Sequence, residues 1–84
     1  MPYVKADVRD RIDKGGIPVN TSELDYAITR LINGYLAQKS QLAYAEFNEA
    51  VGALECAKLE LYRRKLAPYE DRKMEENGDV FTIG

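Results

Sequence analysis

The densest chemistry in the sequence lies between residues 59 and 73, where Arg63, Arg64, Lys65, Arg72 and Lys73 are interleaved with Tyr62 and Tyr69. Guanidinium groups grip phosphate oxygens through paired hydrogen bonds, and tyrosine faces stack on nucleobases. The cluster is short and sits in a chain with 12 basic residues, 14 acidic residues and a net charge of −2. Binding to a nucleic-acid polymer needs a broad basic footprint. The pattern therefore suits a small anionic nucleotide. A plainer reading competes with it. Basic side chains in a helix's last turn complement its dipole, and Glu60, four residues before Arg64, makes a routine helix ion pair.

Two other groups could carry chemistry. Glu46 and Glu49, with Glu76 and Asp79, imitate the carboxylate spacing by which all-helical nucleotide pyrophosphohydrolases hold Mg²⁺. The second pair straddles Asn77-Gly78, a turn signal, so its members do not share a helix face. Cys56 is the single cysteine, and the chain has no histidine to generate its thiolate. It is expected to be a buried, inert thiol on an apolar helix face. Lacking histidine, the chain also lacks the commonest zinc ligand and the ready acid/base of neutral pH. The expectation is a binding protein with no catalytic residue, no metal and no cofactor.

These side chains must be positioned by helices. Val4–Lys14, with Val8 and Ile12 four apart, predicts a short first helix closed by Gly15-Gly16, and Pro18 marks a linker. Thr21 or Ser22 can cap a second helix. Leu24, Ala27, Ile28, Leu31, Ile32, Tyr35 and Leu36 follow the i, i+3, i+4, i+7 rule, so one of its faces is expected to be buried. Gln38–Gln41 is a polar break. Tyr26, Tyr35 and Tyr44 read as core or rim aromatics.

A long third helix is expected from Leu42–Tyr44 to Leu66 or Ala67, then a kink at Pro68 and a short charged helix over Tyr69–Glu76, stopped at Asn77-Gly78. The tail Asp79–Gly84 alternates like a strand and could clasp a neighbouring surface. The fold class is thus all-α, a single small helical domain over residues 1–84.

Phe47, Val51, Leu54 and Leu61 mark one face of the third helix, and Cys56, Leu59, Tyr62 and Leu66 mark another. Between them runs Ala50-Val51-Gly52-Ala53. One partner helix cannot cover two apolar faces, and 84 residues leave little core to do it. The second face predicts a subunit contact, with a tetramer as the expected assembly. Hydrophobic residues make up 45% of the chain, too many for disorder at so small a net charge. No apolar run approaches a membrane span, and the opening Met-Pro-Tyr-Val-Lys-Ala-Asp shows no signal-peptide core. With a free thiol besides, an intracellular setting is expected.

The C-terminal half resembles a family of very short phage proteins. The likeness is carried by Asn48-Glu49, Gly52, Leu54-Glu55-Cys56, Lys58, Glu60, Tyr62-Arg63-Arg64, Ala67-Pro68-Tyr69-Glu70-Asp71, Lys73 and Glu76-Asn77-Gly78-Asp79-Val80. Glu23-Leu24-Asp25-Tyr26-Ala27-Ile28 fits the same pattern, whereas Lys5–Asn20 stays outside it. The family looks like the viral sponge proteins that sequester cyclic dinucleotides, such as cGAMP, made by bacterial CBASS defence.

The resemblance implies a helical homo-oligomer that binds the signal uncut in the cytoplasm of the infected host. Arg63, Arg64 and Lys73 would hold phosphates, Tyr62 or Tyr69 would stack on a base, and Asn48 or Glu55 would read a base edge. The rival reading is a helical adaptor that docks on a host protein and inhibits it.

Overall fold

Charge, as much as apolar packing, holds the first two helices together. The computed structural model describes residues 4–84. The opening Met1–Tyr3, part of the signal-peptide reading, lies outside the described residues. The first helix, α1, spans Ala6–Asp13, and α2 spans Thr21–Ala37. Ile12 of α1 and Tyr26 of α2 are buried, and Val8 is half-buried.

Around this small apolar centre Arg11 of α1 pairs with the buried Glu23 of α2 and donates through Nη1 to the Ile17 carbonyl at 2.9 Å. The Tyr26 hydroxyl donates to Asp13 Oδ1 at 2.9 Å, and Arg30 Nε donates to the same oxygen at 3.3 Å. Gly16 lets the chain turn tightly here, because a Cβ there would lie 2.8 Å from the Arg11 carbonyl oxygen.

The cap of α2 differs from expectation. Asn20, not Thr21 or Ser22, caps it, with Oδ1 accepting from the Glu23 N–H at 2.9 Å. Glu23 answers by accepting from the Val19 N–H at 3.2 Å. This is the reciprocal logic of a capping box, and the position of the glutamate selects which of three neighbouring cap-forming residues is used.

The apolar stripe of α2 is also placed differently. The face turned to α1 buries Glu23 and Tyr26, while Ala27, Ile32 and Leu36 are half-buried. Leu24, Ile28, Leu31 and Tyr35 remain exposed. Tyr26 is thus a core aromatic, Tyr35 a rim one, and Tyr44 is well exposed.

Burial, with the Asp13 carboxylate second, raises the Tyr26 phenol above its ordinary value of 10.0. A raised value favours the neutral phenol in the fold. Its stabilisation is complete below the ordinary value and is lost as pH climbs through the raised one. Melting followed from about pH 9 to 12 should show a decline on the alkaline side that is shallower in Tyr26→Phe. Identical slopes in the two proteins would contradict this.

After a polar break come α3, Tyr44–Leu61, a π-helical turn over Tyr62–Leu66, and α4, Ala67–Asn77. The third helix therefore runs as α-helix only to Leu61. The kink foreseen at Pro68 takes the form of this wide turn. Proline lacks an N–H, and its ring crowds the carbonyl four residues back, here that of Arg64. Widening the preceding turn relieves the crowding, and the Ala67 N–H bonds to the Tyr62 carbonyl, five residues back. Gly78, at φ +91°, ends α4 with its N–H on the Met74 carbonyl at 2.8 Å.

The tail expected as a strand has no regular structure, and Val80, Phe81 and Ile83 are exposed. A lone strand needs an edge to pair with. Among the described residues all regular structure is helical, so the fold is all-α. Among the described residues no helix is long and apolar enough to cross a membrane.

The chain forms two compact units, one ending at Ala50 and one spanning Val51–Gly84. In the second unit no residue is buried, and only Ala67 and Pro68 are less than exposed. Cys56 is exposed as well, contrary to the buried thiol expected. It does lie beside Leu59 and Tyr62, but among the residues of the second unit nothing covers that face.

Candidate functional site

The second unit gathers most of the residues that the sequence marks for ligand binding. Arg63 and Arg64 both reach back along the helix to one carboxylate. Arg63 Nη2 donates to Glu60 Oε2 at 2.9 Å, and Arg64 Nη1 donates to Glu60 Oε1 at 3.3 Å. The ion pair anticipated for Arg64 is present, and Arg63 shares it. All three side chains are at least half exposed, so the pairs are worth only ~0–1 kcal/mol each and yield readily to a better anion.

Lys73 is paired with Glu76 at 3.2 Å and stands 5.6 Å from the centre of the Tyr69 ring, with Arg72 at 5.8 Å from the same ring. Tyr69 is thus a cation-bearing aromatic face. The Tyr62 phenol is raised above its ordinary value by its hydrogen bond to Glu70 and by that carboxylate's charge. Glu55, a candidate base reader, pairs with Lys58 at 3.3 Å. Asn48 is exposed and belongs to the first unit.

Besides the groove that it shares with Cys56, Leu59, Glu60 and Arg63, Tyr62 borders two more of different character. One, of about 420 Å³, runs between α4 and the start of the tail and includes Glu70, Asp71 and Lys73. Two carboxylates against one lysine, itself paired with Glu76, make it a poor home for phosphate. The other, of about 550 Å³, follows the helix through the π-helical turn and is lined by Lys58, Leu61, Tyr62, Lys65, Leu66 and Tyr69.

The second groove brings both candidate tyrosines together, but it includes neither arginine. In their place stand Lys58 and Lys65. The sequence contained the signal for them, a 3- and 4-residue spacing from 58 to 69, though it did not mark these two as ligand contacts.

The carboxylates proposed for metal binding have other occupations. Glu46 accepts from the Ala43 N–H at 2.9 Å, and Glu49 accepts from the Tyr35 hydroxyl at 3.5 Å. Glu76 holds Lys73, and Asp79 accepts from the Phe81 N–H at 3.0 Å. Among the described residues no three carboxylates or cysteines converge on a common point.

A family model described as a domain of unknown function, DUF6899, matches residues 1–80. The chain belongs to that family. The match takes in the N-terminal segment Lys5–Asn20, which the phage-protein resemblance leaves out, so α1 and its lock on α2 are part of the DUF6899 domain. No curated protein and no solved structure matches the chain.

Proposed function

We propose that this DUF6899 protein is a phage immune-evasion protein that captures a cyclic dinucleotide such as cGAMP and holds it uncut. The observation that carries the reading is the meeting of Tyr62 and Tyr69 in one apolar groove beside the basic segment 63–73. Stacking surfaces with nearby cations are what a small aromatic anion requires. Arg63, Arg64 and Lys73, the sequence's candidates for phosphate, lie in that segment outside the groove's lining, and Glu55 is its candidate in the second unit for a base edge.

Assembly as a homo-oligomer, with a tetramer expected, completes the proposal. The second unit buries nothing, and its exposed side chains include Val51, Leu54, Leu59, Leu61 and Leu66. Most helical stability in proteins comes from packing an apolar face, not from propensity. Gly52 supports the same view. A Cβ there would meet nothing within 4 Å among the described residues, although glycine costs about 1 kcal/mol against alanine inside a helix. Close approach of a second copy's backbone would account for it. A two-fold related pair of subunits also suits a ligand that is itself nearly two-fold.

The experiment is calorimetry of the purified protein against cyclic dinucleotides, with linear dinucleotides as controls, followed by denaturation and recovery of the ligand. Saturable heat and an intact ligand are expected. A cleaved ligand would overturn the sponge reading and make Glu46 and Glu49 the first residues to substitute. The exposed apolar faces favour one other reading, an adaptor docked on a host protein. Absence of heat with every nucleotide would leave that reading standing.

A further inference from the structure

Resting on that nucleotide-binding reading, we infer that the phosphate-holding cations are Lys65 and Lys58 at the groove spanning the π-helical turn, not Arg63 and Arg64. The first argument is electrostatic. Arg63 and Arg64 share Glu60, and Lys73 is held by Glu76. Lys58 is paired with Glu55 in the same way and enters on geometry alone. Lys65 has no carboxylate partner among the described residues, although it sits against Leu61, Tyr62, Leu66 and Tyr69. An ammonium beside an apolar wall, uncompensated within its own chain, offers an anion more than a shared guanidinium does.

The second argument is geometric. Lys58, Leu61, Tyr62, Lys65, Leu66 and Tyr69 form one continuous strip of the second unit, with a lysine at each of two levels. Lys58 and Lys65 are seven residues apart, about 10 Å along the helix. Their four-carbon stems let the two ammonium groups converge on a ligand lying between them. The tyrosines supply the stacking surface for its ring.

Composition then fixes the ligand class. A purely apolar ligand has no use for the lysines, and a free phosphate ion has no use for Leu61, Leu66 and two aromatic rings. An aromatic ring bearing phosphate satisfies both, which is the chemistry of a nucleotide. The neighbouring groove with Glu70 and Asp71 repels the same ligand.

The test is titration of the full chain, by calorimetry and by NMR of the tyrosine rings, with three probes: a cyclic dinucleotide, guanosine monophosphate and inorganic phosphate. For the parent, the nucleotides should shift the Tyr62 and Tyr69 signals, and inorganic phosphate should not. Lys65→Gln should weaken nucleotide binding by about tenfold or more, the loss of a charge-assisted contact. Arg63→Ala/Arg64→Ala should stay within about twofold of the parent, as for exposed ion pairs.

If the cyclic dinucleotide binds the parent but Lys65→Gln and Lys58→Gln bind it equally well, the site assignment is wrong and the proposed function survives. If guanosine monophosphate binds in a Lys65-dependent way and the cyclic dinucleotide does not, the site stands and the sponge reading falls. No binding of any nucleotide to the parent overturns both. Circular dichroism of each variant separates loss of a contact from loss of the helix.

Discussion

Arg11→Ala should loosen the first unit more than any other single loss of charge in the protein, by about 2 kcal/mol. That figure lies between the ~0–1 kcal/mol of an exposed ion pair and the ~3–5 kcal/mol of breaking a buried one. Arg11 earns an intermediate place because its side chain is 42% exposed while that of Glu23 is only 9% exposed. The arginine also holds the Ile17 carbonyl, so its loss frees the linker from α1.

What remains to Glu23 is the Val19 N–H and the Asn20 side chain, too little for a charge kept out of water. A compact unit of some 50 residues has a total stability of only about 2.5–7.5 kcal/mol. A 2 kcal/mol loss is therefore a large fraction of it.

Two controls decide the cause. Lys14→Ala removes an exposed pair with Asp10 and should hardly move the melting curve. Arg11→Ala/Glu23→Gln should regain part of the loss, because the uncharged amide no longer has to be neutralised. If Arg11→Ala melts with the parent and with Lys14→Ala, α1 is not locked to α2 by this pair.

The same lock shows how far the sequence could be read. Gly15-Gly16 and Asn77-Gly78 end their helices as their turn chemistry requires, and Pro68 interrupts the longest one. These are local effects, set by a few neighbouring residues. The cap of α2 was local too, but Asn20, Thr21 and Ser22 are all competent, and only the glutamate three residues on distinguishes them. Burial was less legible. Periodicity shows which residues of α2 are apolar, but α1 selects the face it covers through Arg11 and Asp13. Tyr26 is buried because its hydroxyl finds Asp13, while Leu24 and Leu31 stay exposed.

The candidate site divides in the same way. Residue types and helix spacing revealed the basic and aromatic segment and the pairing of Arg64 with Glu60. They did not reveal that Arg63 would turn to the same carboxylate. Nor did they show that Tyr62 and Tyr69 would share a groove with Lys58 and Lys65. Their 3- and 4-residue spacing places them together on an unbroken α-helix, so whether they still meet depends on the π-helical turn between them. A proline in the sequence announces an interruption without saying whether the helix will bend, break or widen.

Pro68→Ala tests the dependence and should separate stability from binding. Alanine restores the missing N–H and removes the ring that crowds the Arg64 carbonyl, so ordinary i to i+4 bonding can pass through residues 62–68. Proline inside a helix costs ~3 kcal/mol. Part of this is offset, because proline also restricts the unfolded chain, an effect worth about 0.4–1 kcal/mol. The net expectation is a second unit more stable by about 2–2.6 kcal/mol, seen as a higher melting temperature and stronger far-ultraviolet helical ellipticity.

Removing the wide turn leaves an unbroken α-helix, in which Tyr69 stands seven residues from Tyr62 and only about 20° from it around the axis. Tyr69 therefore still shares a face with Lys58, Tyr62 and Lys65, and nucleotide affinity should be kept in the more stable protein. A variant that gains helix but loses the roughly 1–3 kcal/mol of a stacked base, about five- to more than a hundredfold in affinity, would show that the site needs the wide turn itself. A variant with unchanged ellipticity and melting would show that Pro68 is not what holds the turn open.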